Sequence, residues 1–169
     1  IGKVAAATTA TMLVEKFGVT HILFTGVAGG GDSRVAVGDI VVAESLVQYD
    51  MDASPLFPRF EVPLTGLSHF LSDSHMSNVV TSAAHQFLEQ DFDKAIDDTE
   101  RKVFGMQQPS VHRGLVGSGD RFVSGRTHLS TINAFLQGLL AVEMEGAAVA
   151  QVCFEVGMPF AVICTISDN

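Results

Sequence analysis

Ala141-Val-Glu-Met-Glu-Gly-Ala-Ala-Val-Ala-Gln-Val152 carries an apolar strand into a helix of small residues and sets two carboxylates, Glu143 and Glu145, at the joint. Leu139 to Val142 has the short, wholly apolar character of a buried strand. Met144 to Val156, with Gly146, Ala147, Ala148 and Ala150, predicts a closely packing helix. A strand running into a helix marks the edge of a sheet, a common place for ligands. Acceptor-only carboxylate oxygens there suit paired hydroxyl donors, such as a ribose diol, or a developing positive charge. They equally suit the first turn of the helix, where the macrodipole stabilises an anion by about 0.3 to 1 kcal/mol. Both readings stand on these residues alone.

Outward from this joint, strand-like and helical runs alternate, the signature of a parallel or mostly parallel sheet covered by helices. Val4 to Phe17 predicts a helix, His21 to Val27 a buried strand, Ala28 to Gly31 a glycine turn, and Asp39 to Ala43 a second strand. Between Gln48 and Asn78, prolines, serines and aspartates predict a long irregular excursion that carries a lid or a subunit contact. Val79 to Leu88 predicts a helix, and Gln90 to Lys102 a solvated helix or insertion. Arg113 to Gly117 predicts a strand, Thr127 to Leu136 a helix, and Phe160 to Ile166 the final strand.

Composition narrows the classes. The chain has 169 residues, 47% of them hydrophobic, which predicts one domain, residues 1–169, with a substantial core. With 19 acidic and 10 basic residues, the net charge of -9 argues against a nucleic-acid partner. No apolar run approaches the ~20 residues of a membrane helix, so a soluble protein is expected. Cys153 and Cys164 both lie in apolar segments, outside any disulfide framework, which fits a reducing cytoplasm. Six scattered histidines offer no metal-ligand spacing, and no metal or cofactor is expected. Ile1 enters a helical pattern at once and Asn169 directly follows a strand, so a chain truncated at both ends is expected.

Three more segments point to the same edge. Thr25-Gly-Val-Ala-Gly-Gly-Gly31 would free backbone N–H groups for a ligand, without the spacing of a dinucleotide fingerprint. Ser118-Gly-Asp-Arg-Phe-Val-Ser-Gly125 follows a strand. Phe122 in it could stack on a purine while the Val123 backbone reads the base edge, or could simply tuck the loop onto the core. Asp168 ends the last strand, as an acid for a leaving base if burial raises its pKa, or as a helix cap.

In this order TGVAGG, VGDIVV, SGDRFVSG, AVEMEGAAVAQVC and PFAVICTISD resemble the nucleoside phosphorylase and nucleosidase superfamily, most closely its 5'-methylthioadenosine/S-adenosylhomocysteine nucleosidases. The resemblance implies a three-layer α/β/α domain around a mixed, partly barrel-like central sheet, acting as a homodimer. It implies hydrolysis of the N-glycosidic bond of a purine nucleoside, with release of adenine. The alternatives are a purine nucleoside phosphorylase of the same fold and a non-catalytic nucleoside-binding relative.

By that resemblance Asp168 would protonate adenine N7 and Ser167 would orient it. Phe122 and Val123 would hold the base, Met144 would pack under the ribose, Glu145 would hold its hydroxyls, and Glu143 would line the pocket near the base and the water. Val27, Ala28 and Gly29 would wall the ribose and base. Ala53 and Leu56 would cover the alkylthio end of the substrate across the dimer. Asp50 and Asp52 fit either a solvated turn or an interface hydrogen bond. The chain departs from the family pattern at Cys164, where the nucleosidase branch usually has a basic residue, and at Val27, where a small hydroxyl residue is usual. The family's water-activating glutamate falls in an N-terminal strand before Ile1, and its pocket-closing C-terminal helix after Asn169. Phosphorolysis would need a basic phosphate pocket, for which Arg34 and Arg121 are the arginines near the two loops.

Overall fold

The computed structural model describes residues 1–123 and 126–168; Ser124 and Gly125 of the predicted loop and the terminal Asn169 lie outside them. The elements run α1 (Lys3–Phe17), β1 (Ile22–Gly30), β2 (Ile40–Gln48), β3 (His69–Leu71), α2 (Ser74–Gln90), α3 (Phe92–Ala95), α4 (Asp98–Phe104), β4 (Val111–Ser118), α5 (Arg126–Asn133), β5 (Leu139–Glu143), α6 (Gly146–Val156) and β6 (Phe160–Asp168). The sheet order is β3-β2-β4-β5-β1-β6, and β2 also pairs with β6, which closes five strands into a ring.

The sheet is mixed rather than mostly parallel. β1 with β6, β2 with β4, and β4 with β5 are parallel, while β1–β5, β2–β6 and β2–β3 are antiparallel. Alternation of strands and helices is the same for both arrangements; only the ring closure separates them. β2 makes that closure by using one edge twice, with Ile40 to Val42 on β6 and Ser45 to Val47 on β3. The expected irregular excursion therefore contains a short strand, and its end is the N-terminus of α2, capped by the Asp73 side chain on Met76 N–H. The mixed-charge stretch that follows forms two short helices. Asp97 and Glu100 make a reciprocal capping box at the second.

The predicted glycine turn is strand. β1 continues through Gly30, pairing Gly29 with Val142 and Gly30 with Ala141, and Gly31 N–H donates to the Leu140 carbonyl at 2.8 Å. These amides are spent on β5. Glycine is required there because the strands cross closely: a Cβ on Gly31 would lie 2.7 Å from the Leu139 carbonyl oxygen.

Apolar packing follows the small-residue pattern of α6. Ala147, Ala150 and Cys153 join Ala10 of α1 to Val41, Leu46, Val116, Ala141, Val162 and Cys164 of the strands. A second cluster sets Ile132 and Leu136 against Val47, Tyr49, Leu139 and Val142. Full burial of a Val or Leu is worth about 1.5 to 3 kcal/mol. Burial without bulk on α6 brings its axis close to the strands.

Candidate active site

Register assembles the site. Parallel pairing puts Asp168 beside Gly29 across a β-bulge; antiparallel pairing puts Gly29 beside Val142; and parallel pairing puts Ser118 beside Glu143. Four strand ends thus meet where β1 closes onto β5. Their side chains line a cleft of about 250 Å³ that contains Val27, Ala28, Gly29, Phe122, Val123, Glu143, Met144, Glu145, Ser167 and Asp168. Of the site residues read from the sequence, only Ala53 and Leu56 lie outside it. Leu56 is 84% exposed, in the loop between β2 and β3.

Of the two glutamates at the opening joint, Glu143 caps the helix and Glu145 does not, and both line the cleft. Glu143 is buried, and its Oε2 accepts from the N–H groups of Glu145 (2.8 Å) and Gly146 (2.7 Å) while Oε1 accepts from the Ser118 hydroxyl. Ser118 Oγ accepts in turn from Ala147 N–H at 2.6 Å. Glu143 and Ser118 together cap α6, which is why the helix begins at Gly146 rather than Met144. Burial pushes the Glu143 carboxyl above its ordinary pKa, against the lowering pull of these hydrogen bonds. Glu145 makes no side-chain cap and faces the cleft, with its Oε1 accepting from Gly2 N–H at 2.6 Å.

Phe122 does not tuck onto the core. The residue is 69% exposed and lines the cleft, an apolar group open to a planar ligand. Its loop is held from below by Tyr49, whose hydroxyl donates to the Arg121 carbonyl at 2.8 Å. A Cβ on Gly119 would collide with the Tyr49 ring, so this glycine is required by packing. Burial, with the charges of Asp50, Glu143 and Asp120, pushes the Tyr49 phenol up to about 12, which keeps it a donor.

At the opposite wall, Ser167 Oγ lies 2.7 Å from Asp168 Oδ1 and 3.3 Å from the Ala28 carbonyl. Donation from the Ser167 hydroxyl to Oδ1 orients the Asp168 carboxyl. The condition set from the sequence, burial of Asp168, is not met in this chain, because the residue is exposed. Cys164 is buried, and burial with the charges of Glu143 and Glu145 pushes its thiol up to about 12, so it packs as an apolar group.

The structure also gives these arginines and aspartates their partners. Arg34 is spent on Asp32, with Nε–Oδ1 at 2.8 Å, and is not part of the cleft, whereas Arg121 lines it. Asp50 bonds within its own chain, to Lys3 Nζ at 2.7 Å and to Asp120 N–H at 2.8 Å. Asp52 follows the turn reading and accepts from Ser54 N–H at 3.0 Å. Sequence reasoning missed Lys3, Ser118, Tyr49 and Ile1, the last also lining the cleft. A lysine opening a helix that has no acid in its first turn was the available signal for Lys3.

Comparison with known proteins agrees with this geometry. A 5'-methylthioadenosine/S-adenosylhomocysteine nucleosidase of Shewanella frigidimarina is 34% identical over 169 residues, covering 100% of this chain and 65% of the relative. One from Marinomonas sp. is also 34% identical, covering 99% and 64%. Among solved structures, the Neisseria meningitidis nucleosidase in complex with methylthio-immucillin-A superposes with a TM-score of 0.84 at 30% identity, covering 99% of this chain and 64% of that one. The Colwellia psychrerythraea nucleosidase in complex with adenine gives 0.82 at 30% identity, covering 99% and 62%. The chain thus spans just under two thirds of the length of these relatives. The family model of the phosphorylase superfamily matches residues 1–169, end to end, and with the closed mixed sheet and the cleft at its β1–β5 closure it settles the family: the chain belongs to the phosphorylase superfamily.

Proposed function

We propose that this cleft cleaves the N-glycosidic bond of a 5'-thio-substituted adenosine with water as the nucleophile, releasing adenine. The observation that carries the reading is the convergence of an exposed aromatic ring (Phe122), a cleft-facing carboxylate (Glu145) and a serine-oriented acid (Asp168) on one concave surface. Adenine stacks on Phe122, with the Val123 backbone at its edge. Glu145 accepts from the ribose hydroxyls over Met144, and its charge stabilises the oxocarbenium-like transition state as the C1'–N9 bond breaks. The electron pair leaves with the purine, and Asp168 delivers a proton to N7. Water adds hydroxide to C1', and its remaining proton restores the acid over the turnover.

Hydrolysis is favoured over phosphorolysis by the cleft walls. Val27, Val123, Val142 and Met144 are apolar, and Arg121 is the one arginine or lysine among the described residues lining the cleft. The relatives named above are nucleosidases, one solved with methylthio-immucillin-A and one with adenine. The reading takes residues 1–169 as one domain of a cytoplasmic homodimer. Ala53 and Leu56, set apart from their own cleft, would reach the alkylthio end of the substrate in the neighbour. Both cysteines are free and buried, and among the described residues no helix is long and apolar enough to cross a membrane.

Chromatographic detection of free adenine from methylthioadenosine, with and without phosphate, tests the reading on the full-length protein. Release without phosphate supports hydrolysis. Release only with phosphate makes it a phosphorylase, and no release in either case leaves a nucleoside-binding protein.

A further inference from the structure

The N-terminus of α1 is built against its own electrostatics. A cation in the first turn of a helix opposes the macrodipole, yet Lys3 opens α1, no acidic residue occupies that turn, and Gly2 provides no side-chain cap. The missing acids come from elsewhere in the chain. Asp120 Oδ1 accepts from Lys3 N–H at 3.2 Å, and Glu145 Oε1 accepts from Gly2 N–H. The Lys3 ammonium lies 2.7 Å from Asp50 Oδ1, 3.2 Å from Gln48 Oε1 and 3.6 Å from Asp120 Oδ2. Its side chain is 16% exposed, so the charge is largely shielded from water and its partners matter more than those of a surface pair. Gln48 is itself buried and passes its amide to Gln151 of α6 at 2.7 Å, and Asp50 Oδ2 accepts from Asp120 N–H. One ammonium therefore joins the start of α1, the end of β2, the loop after β2 and the loop after β4.

Lys3 does not line the cleft; Phe122 does, two residues beyond Asp120. We propose that Lys3 is a positioning residue whose ammonium, by pairing with Asp50 and Asp120, locks the Asp120–Val123 loop at the height at which Phe122 and the Val123 backbone meet a purine. Without it the Asp50 and Asp120 carboxylates lose their shared counter-charge, and the loop keeps only the backbone donors of Lys3 and Asp120 and the Tyr49 tether at the next residue. Asp168 and Met144 hang from other elements and keep their places. The clamp thus governs purine affinity more than the bond-breaking step. Its substrate rests on the nucleosidase reading above; its geometry does not.

Lys3→Met, which keeps the backbone N–H and helix propensity, tests the clamp in the full-length protein. Expected are KM for methylthioadenosine and the calorimetric Kd for adenine both raised about ten-fold, with kcat within about three-fold of wild type. Adding Asp120→Asn to Lys3→Met should weaken adenine binding no further, because both act through one contact. An unchanged adenine Kd, a loss confined to kcat, or fully additive effects would overturn the proposal. Should Lys3→Met fail to fold, Asp120→Asn alone decides, since it leaves the Lys3–Asp50 pair intact: a weaker adenine Kd at unchanged Tm supports the clamp, and an unchanged Kd rejects it. Wild-type protein that binds adenine but releases none from methylthioadenosine would sink the hydrolase reading and leave the clamp to be judged by adenine binding.

Discussion

Asp168 and Glu145 both line one cleft, and under the proposed function they divide the reaction between them, so their substitutions should fail in different ways. Asp168→Asn keeps the shape and the Ser167 contact but removes the proton. It is expected to lower kcat by several orders of magnitude with KM little changed, in steady-state adenine release. Turnover near the wild-type rate would assign the acid elsewhere. Glu145→Gln keeps a carbonyl oxygen toward Gly2 N–H and loses the charge. It should reduce kcat/KM for ribosides by about a hundred-fold and narrow the preference for ribo over 2'-deoxy substrates. Equal discrimination in variant and wild type would contradict the diol-holding role. Glu143, two residues earlier with the same chemistry, is committed to the helix end, and only its distances to the α6 amides reveal this.

At the scale of the element, α6 is capped by a strand residue and by a serine from the neighbouring strand rather than by its own N-cap side chain. Burial raises the Glu143 carboxyl, so the folded state holds that proton more tightly than the unfolded chain does. For an acid raised on folding, the contribution to stability is full below the unfolded value near 4.5 and declines as pH rises through the raised folded value. Glu143→Gln removes this slope. The Tm difference between Glu143→Gln and wild type should therefore shift in favour of the variant from pH 4.5 upward, as read by calorimetry across that range. A difference independent of pH would mean that Glu143 does not titrate with folding. β1 teaches a related lesson. Its glycines read locally as a turn, but Gly29 and Gly30 are strand because they pair with β5, and the approach that only glycine allows comes at Gly31, just beyond β1.

For the whole molecule, the ring of strands does what no single element can. It brings the ends of β1, β4, β5 and β6 to one place, and it leaves the loop after β2 on the outside with Leu56 exposed. If that loop completes the neighbour's cleft, Leu56→Asp should convert a dimer to monomers in sedimentation velocity and raise KM for alkylthio substrates at least ten-fold, roughly the cost of losing one apolar contact of 1.4 kcal/mol or more. A monomeric wild type would remove the basis of this reading. Composition and periodicity were enough to show the α/β class and the main strands within a few residues, because buried strands and a small-residue helix leave a local apolar pattern, while the cleft residues were legible through the motifs at the strand ends and the family those motifs resemble. Closure of the sheet, the capping of α6 by Glu143 rather than Glu145, and the contacts of Lys3 with Asp50 and Asp120 were decided only by the tertiary structure. Each depends on partners far apart in the chain, Gly29 with Val142, Ser118 with Glu143 and Lys3 with Asp50 and Asp120, and a local pattern carries no record of which distant group will satisfy a given charge or amide.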